Sequence, residues 1–261
     1  MNTIVREKVD IIFLTHNQSE MSLKCLDALK ENTHHPFRLI WIDNGSDIHH
    51  YEMVKDKVSE FESLGYRYGV NRFYAKAINQ GIILSDTRYV VTLSNDVFVT
   101  DNWLTKLVSV MENYPKVGLL SPLTDNIGSP APNAREAIVQ YDLAVNGGSL
   151  DGINGLEERF GNCFDLVSMF CAMVRKEAIE KVGLLDERFF ILANDDDYCD
   201  RIRLGGYETG VCLNCFVYHK HEATKNAVFR PGSPERIAIK RDHQALLREK
   251  RRDRAIMGTL G

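Results

Sequence analysis

Short apolar runs and longer amphipathic segments alternate along the first hundred residues. Runs rich in β-branched residues, typical of buried strands, lie at 9–14, 37–42 and 89–93. Segments with helical spacing of apolar residues lie between them, at 19–30, 47–64 and 71–84. A further short strand is expected near Tyr66–Tyr68. This alternation predicts βαβ units and an α/β fold, with a mostly parallel, Rossmann-like sheet flanked by helices.

The second half of the chain continues these elements around one long irregular segment. Residues 122–162 are rich in Pro, Gly, Asn and Ser, and we expect them to form a lid or binding loop. The other predicted elements are helices at 103–113, 175–182, 197–204 and 235–254 and strands at 118–120, 164–174 and 211–219.

Composition narrows the class of protein. The chain has 261 residues and a formal net charge of −4, which gives no reason to expect nucleic acid as a partner. We find no apolar tract long enough to span a bilayer and no secretory signal, so we expect a cytoplasmic protein. The six cysteines are spread along the chain and are expected to be free thiols.

One pair of cysteines allows a second interpretation. Cys212 and Cys215, together with His219 and His221, have the side chains of a zinc cluster. However, residues 211–219 are predicted to form a strand, and a strand places alternate side chains on opposite faces. The four side chains would not converge easily, so we expect free thiols here too.

Carboxylates follow two of the predicted elements. Asp96 stands where the strand at 89–93 stops, and ligands of open α/β sheets bind at the carboxyl ends of strands. A carboxylate there is a hard oxygen ligand suited to Mg²⁺ or Mn²⁺, which commonly hold substrate phosphates. Later in the chain, Asp195, Asp196 and Asp197 lie at a helix start, where backbone N–H groups favour negative charge. Either group alone fits a turn or a solvated loop, but together they indicate a functional site.

The order of motifs from Val9 to His221 resembles glycosyltransferase family 2, an inverting family with the GT-A fold. Thr15–Asn17 is similar to the family's opening Thr-x-Asn. Ser94–Asp96 falls at its Asp-x-Asp position, with serine first, which leaves Asp96 as the metal ligand. The other similar segments are Ile42–Ser46, Ala75–Gly81, Gly183–Glu187, Asp195–Tyr207 and Val217–His219, with departures at Phe73 (often Gly) and Asn194 (often Glu).

The resemblance implies transfer of a sugar, with inversion, from a nucleotide-diphosphate sugar to a hydroxyl acceptor such as a glycan or a lipid-linked sugar. It implies Mn²⁺ or Mg²⁺ held by Asp96 and His219. It also implies a general base, for which we take Asp195 with Asp196 as the alternative. Donor contacts are then expected from Thr15, Asn17, Asp43, Lys76, Asn79 and Asn95.

The cluster of acids carries two further expectations. Three adjacent carboxyl groups should raise the pKa of at least one of them, which would favour a general base. Asp197 and Arg201 are four residues apart on the predicted helix, so Asp197 is expected to pair with Arg201.

The domain organisation follows from the same motifs. We expect a glycosyltransferase domain over 1–225, with a nucleotide-binding half at 1–100 and an acceptor and catalytic half at 101–225. A basic helical tail follows at 226–261. The tail is expected to pack on the domain; peripheral contact with an anionic membrane, at its inner face, is the alternative.

Three other functions are weighed against this one. A sugar nucleotidyltransferase would need a Gly-rich basic loop after the first strand, where Thr15–Gln18 stands. A dehydrogenase would need Gly-x-Gly-x-x-Gly at the same place. A non-catalytic sugar- or partner-binding module on the same fold would not require Asp96, Asp195 and His219 together.

Overall fold

The computed structural model describes residues 7–124, 160–162, 167–220, 230 and 232–258. Within these ranges, the strands are β1 (Val9–Thr15), β2 (Phe37–Asp43), β3 (Ser63–Arg67), β4 (Tyr89–Ser94), β5 (Val97–Val99), β6 (Val117–Thr124), β7 (Phe160–Asn162), β8 (Cys171–Arg175) and β9 (Glu208–His219). The helices are α1 (Ser19–Asn32), α2 (Ile48–Val58), α3 (Phe73–Leu84), α4 (Trp103–Asn113), α5 (Lys176–Val182), α6 (Asn194–Leu204) and α7 (Pro234–Gly258).

The described strands form one sheet in the order β3-β2-β1-β4-β8-β6-β9-β5, and β7 pairs with β9 beside this path. Strands β1, β2, β3 and β4 are parallel, and β6 and β9 are parallel to each other. Strand β8 lies between these two groups and is antiparallel to both of its neighbours. The predicted α/β fold with a mostly parallel sheet and flanking helices is confirmed.

The sheet is covered on both faces because each strand places alternate side chains on opposite sides. In β1, Ile11 and Phe13 belong to the core that includes α1, α2 and α4, whereas Ile12 belongs to the core with α3, α5 and α6. Helix α3 lies very close to β1 at Gly81, where an added Cβ would stand 2.5 Å from Cγ2 of Ile12. A side chain at this position would therefore push the helix away from the sheet.

The register of the parallel strands brings the predicted site residues to one edge. Thr15 at the end of β1 pairs with Asp43 at the end of β2. On the other side, Leu14 pairs with Ser94 at the end of β4. The residues that follow β4, Asn95 and Asp96, therefore begin beside the ends of β1 and β2, where ligands of such sheets bind.

Two predicted elements have bounds that differ most from those in the structure. The helix predicted at 47–64 is α2, which ends at Val58, and β3 occupies the residues after it. Every residue of β3 is exposed, so the alternation that identifies a half-buried strand is missing. The strand predicted at 164–174 begins at Cys171; residues 167–170 are buried or nearly so, but they form a turn instead of a ladder.

Other predictions can be compared with the structure only in part. The lid predicted at 122–162 contributes its ends to β6 and β7, and residues 125–159 lie outside the described ranges. Across the helices that the structure describes, no segment combines the length and the apolar character needed to cross a membrane. The cysteines within those ranges are free, as predicted, and all of them are buried; Cys163 lies outside the ranges.

Candidate active site

A cavity of about 220 Å³ opens at the carboxyl ends of β1 and β4. Its walls come from both halves of the chain, since β1 and α3 contribute on one side and the start of α6 and the end of β9 on the other. Four predicted site residues line it: Asn95, Asp96, Asp195 and His219. The fold thus brings together acids that are far apart in the sequence.

Asp96 and His219 face each other because β5 and β9 are paired. Val97 is the register partner of His219, which places Asp96 beside the imidazole, with Oδ1 of Asp96 3.5 Å from Nε2 of His219. Each side chain is 8% exposed. The imidazole stacks on the ring of Phe170, with centroids 4.2 Å apart, so its orientation is fixed by packing. The backbone N–H of Lys220 donates to the backbone carbonyl of Asp96, which further joins the two chain segments that carry the pair.

These two side chains have the chemistry of a divalent metal site with few protein ligands. Among the described residues, no group of three or more His, Cys, Asp or Glu side chains could hold a metal ion. The zinc alternative is not supported within the same ranges, and its fourth member, His221, lies outside them. Cys212 and Cys215 are instead buried, and the Cys215 thiol donates to the carbonyl of Trp103.

Asp195 reaches the cavity from the first turn of α6. The helix begins at Asn194 after Ala193, whose φ of 60° lies in the left-handed region. Oγ of Ser168 donates to Oδ2 of Asp195 over 3.3 Å. Burial, and after it the charge of Asp195, raises the pKa of Tyr74, another residue of the cavity wall. The carboxylate therefore stands beside the polar groups of Ser168 and Tyr74 in the cavity wall.

The two following acids point toward α7. The carboxylate of Asp197 accepts hydrogen bonds from Arg201, Lys250 and Arg254 at 2.7–2.9 Å. Burial alone would raise the pKa of Asp197, but these cations outweigh it and hold the pKa below its usual value. The predicted pairing of Asp197 with Arg201 is confirmed. Asp196 lies outside the cavity lining, with its carboxylate 3.9 Å from Arg251.

One of the three adjacent acids, Asp196, has a raised pKa, but the adjacent acids are not the cause that the sequence analysis expected. Its pKa is raised, and the largest cause is burial, with the neighbouring Asp200 adding to it and the charge of Arg251 opposing it. The residue with the raised pKa is thus the alternative base, and its partners are on α6 and α7.

Three predicted donor residues lie beside the cavity: Thr15 at the end of β1, Asp43 at the end of β2, and Asn17 just after β1. Oγ1 of Thr15 accepts from the indole of Trp41 at 2.9 Å. Asp43 accepts a hydrogen bond from Nε of Arg67 at 3.2 Å. Oδ1 of Asn17 accepts one from the backbone N–H of Asp47, the residue before α2. None of the three is in the cavity lining. Within the described residues they stabilise the rim, and their donor contacts stay a prediction.

Lys76 and Asn79 have other partners than a donor. Nζ of Lys76 lies 3.3 Å from Glu187. The amide of Asn79 bonds to both the N–H and the carbonyl of Leu185 at 2.9 Å. Neither residue lines the cavity, so α3 uses both to hold the segment that leads to the acids.

Several cavity residues were missed by the sequence analysis. His16 lies inside the Thr-x-Asn motif, and its Nδ1 is buried with no hydrogen-bond partner in the part of the chain that is described. Asn44 and Asn71 bond to each other across the cavity wall at 3.0 Å. The signal for His16 and Asn44 was their place next to motif residues at strand ends.

The geometry agrees with what comparison with known proteins finds. A model of glycosyl transferase family 2 matches residues 10–183. The chain belongs to glycosyl transferase family 2. Residue identity to individual members of the family is low. The chain is 25% identical over 242 residues to the N-acetylglucosaminyl-diphospho-decaprenol L-rhamnosyltransferase of Mycobacterium tuberculosis, covering 82% of this chain and 76% of that protein.

Two further similar proteins are longer than this chain. It is 21% identical over 180 residues to the poly-beta-1,6-N-acetyl-D-glucosamine synthase of Staphylococcus epidermidis, which covers 69% of this chain and 42% of that protein. The S. aureus TarS structure has a TM-score of 0.61 at 13% identity, covering 81% of this chain and 36% of that one. The chain thus spans less than half the length of these two proteins.

Solved structures also establish the fold. The mannosyltransferase PcManGT of Pyrobaculum calidifontis, in complex with GDP-Man and Mn²⁺, has a TM-score of 0.67 at 16% identity and covers 95% of this chain and 64% of that one. GalNAc-T7 with UDP, GalNAc and Mn²⁺ has a TM-score of 0.64 at 13% identity, covering 83% of this chain and 44% of that one. The family 2 chain has the predicted GT-A fold.

Proposed function

We propose that this chain is an inverting, metal-dependent glycosyltransferase that moves a sugar from a nucleotide-diphosphate sugar to a hydroxyl acceptor. The observation that carries the proposal is that two separate groups of side chains line the same cavity. The buried pair of Asp96 and His219 stands on one side, and Asp195 stands on another. Family membership and the metal- and nucleotide-bound structures with the same fold support it.

Asp96 and His219 are the residues that would hold Mn²⁺ or Mg²⁺. A buried carboxylate oxygen and an imidazole nitrogen that share one cavity wall suit these ions, which take the rest of their ligands from substrate phosphates and water. When bound, the ion would neutralise charge on the diphosphate leaving group. Two protein ligands fit a site that is completed by the substrate.

Asp195 is proposed as the general base. Displacement with inversion requires that a base remove the acceptor proton on the face of the sugar opposite the diphosphate. The Asp195 carboxylate lines the cavity, where an acceptor hydroxyl could approach it, and it accepts a hydrogen bond from Ser168 that would help to orient it. Asp196 would need to turn away from α7 to take the role.

The donor is proposed to lie with its nucleotide over the ends of β1 and β2. Among the described residues, Nδ1 of His16 is buried there with no hydrogen-bond partner. Asn44 and Asn95 line the same cavity, with their amide nitrogens bonded to Asn71 and Ser22. Thr15, Asn17 and Asp43 would support this part from below. Such a pocket binds a polar ligand, because buried polar atoms without partners are rare in folded proteins.

Calorimetry with UDP and GDP in the presence of Mn²⁺ tests the proposal. We expect the chain to bind at least one of them, and Asp96→Ala to weaken binding at least about tenfold, since a ligand of the shared ion is lost. Asp56→Ala, on the exposed face of α2, is the matched control and should bind like the parent chain. Equal affinity in Asp96→Ala and Asp56→Ala would refute the metal assignment. Donor turnover with and without Mn²⁺ then separates an enzyme from a binding module.

A further inference from the structure

We propose that helix α7 is a positioning element for the acceptor-side wall of the cavity, and that Lys250 and His243 are its two positioning residues. This inference rests on the proposed function of Asp195. The segment from Asp186 to Asp197 carries three residues of the cavity wall, Ile191, Asn194 and Asp195. Helix α7 contacts this segment at its start, its middle and its end.

Lys250 ties the two ends of the segment together. Its Nζ lies 2.6 Å from Oδ2 of Asp186 and 2.7 Å from Oδ1 of Asp197. The ammonium also stands 5.2 Å from the centre of the Phe189 ring, between the two carboxylates in sequence. With 18% of the side chain exposed, the three contacts form in a partly desolvated place, where charge pairs are stronger than on the surface.

His243 holds the middle of the segment. Its Nδ1 donates to the carbonyl of Leu192 over 2.9 Å, because a carbonyl only accepts. The imidazole meets the ring of Phe190 edge-on at 4.6 Å. Phe190 in turn packs on Phe73, a residue of the cavity wall, at 4.8 Å. A contact on α7 is therefore connected to the cavity through one aromatic ring.

Helix α7 contacts the segment next to a residue with a strained backbone, Ala193. Ala193 follows the carbonyl that His243 holds, and its φ of 60° is unfavourable for a residue with a Cβ. Asp195 comes two residues later. A segment with such a backbone keeps its conformation only if its surroundings determine it, and Lys250 and His243 are two of the groups outside the segment that contact it.

Losing Lys250 should loosen this segment without leaving a buried charge alone. Asp197 keeps Arg201 and Arg254, and Asp186 keeps Arg188 at 2.7 Å. The expected loss is therefore one of position, and small displacements of a catalytic group reduce turnover strongly while binding persists.

The test compares Lys250→Met with Lys240→Met, which removes an exposed lysine from the same helix. Three experiments are made on each variant: the Kd for UDP or GDP with Mn²⁺, the kinetics of transfer (kcat and KM), and hydrogen exchange of a peptide covering 186–197. For Lys250→Met we expect kcat to fall at least about tenfold, exchange to become about tenfold faster, and Kd to stay within about twofold. Lys250→Arg should restore most of the activity because it keeps the charge between the two carboxylates.

His243→Phe is the second variant, in case Lys250→Met does not fold. It keeps a ring against Phe190 and removes only the hydrogen bond to Leu192, so faster exchange at 186–197 with unchanged nucleotide affinity is expected. The inference is overturned if both variants exchange like Lys240→Met, or if kcat and nucleotide affinity fall together. If the parent chain transfers no sugar, the proposed function fails, and the exchange measurement alone decides whether α7 fixes the segment.

Discussion

The replacement of Asp195 by asparagine is the most informative single change in the cavity. The amide has the same size as the carboxylate and its oxygen can still accept from Ser168, so the wall should keep its shape. What disappears is the basicity. A positioned general base contributes about 10²–10⁴ in rate, which corresponds to about 3–5 kcal/mol of activation free energy.

The same change should affect stability only slightly. Asp195 is in the first turn of α6, where a negative charge contributes about 0.3–1 kcal/mol. We therefore expect kcat for transfer to fall at least about a hundredfold. The Kd for nucleoside diphosphate with Mn²⁺, measured by calorimetry, should change less than about threefold, since no metal ligand is altered.

Asp196→Asn is the control variant, because Asp196 is the alternative general base. Asp196 lies next in sequence but outside the cavity lining, against Arg251 of α7. Its replacement should leave transfer near that of the parent chain. If Asp195→Asn retains near-normal turnover while Asp196→Asn loses it, the assignment is wrong and α6 must rotate its first turn during the reaction.

Three further predictions concern stability and are measured by urea denaturation. Arg175 is buried and donates to the carbonyls of Val117 and Met111, so Arg175→Met should lower the free energy of unfolding by about 2–4 kcal/mol; a loss below about 1 kcal/mol would contradict this. Gly81→Ala should destabilise by about 1–3 kcal/mol through contact with Ile12, and a neutral result would mean that α3 moves freely. Hydrogen bonding from Arg188, against burial and with help from Lys250, holds the pKa of Asp186 well below its usual range. Because that folded pKa is lowered, its contribution is fully present above about pH 4 and is lost as the pH falls through the folded pKa, so Asp186→Asn should flatten this part of the acid slope; an unchanged slope would count against the pairing.

The sequence was sufficient where the signal is local. Buried β-branched runs gave the parallel strands, and the chain order of motifs gave the family and the GT-A fold. Helix α4 begins and ends at the predicted residues, 103–113, and its end follows from Pro115, which disfavours the helical conformation at the residue before it. These elements are determined by residues within a few positions of each other.

The sequence was insufficient where the determining partner is far away in the chain. The orientation of Asp197 on α6 depends on Lys250 and Arg254, which lie more than fifty residues later in the chain. No sequence pattern near α6 predicts these contacts. The tail was predicted to be a packing helix from its composition alone; which acids it meets was not predictable. Membrane contact of its exposed cations stays a prediction.

The pairing of β5 with β9 makes the pair of Asp96 and His219 a late product of synthesis. Asp96 is made early, but His219 is the last residue of the last described strand and meets Asp96 only when β9 adds to the sheet in its final register. A shift of one residue in that register would replace His219 by Tyr218 or Lys220 opposite β5 and turn the imidazole away. A chain growing on the ribosome thus has the edge formed by β1, β2 and β4 well before it has the pair of Asp96 and His219.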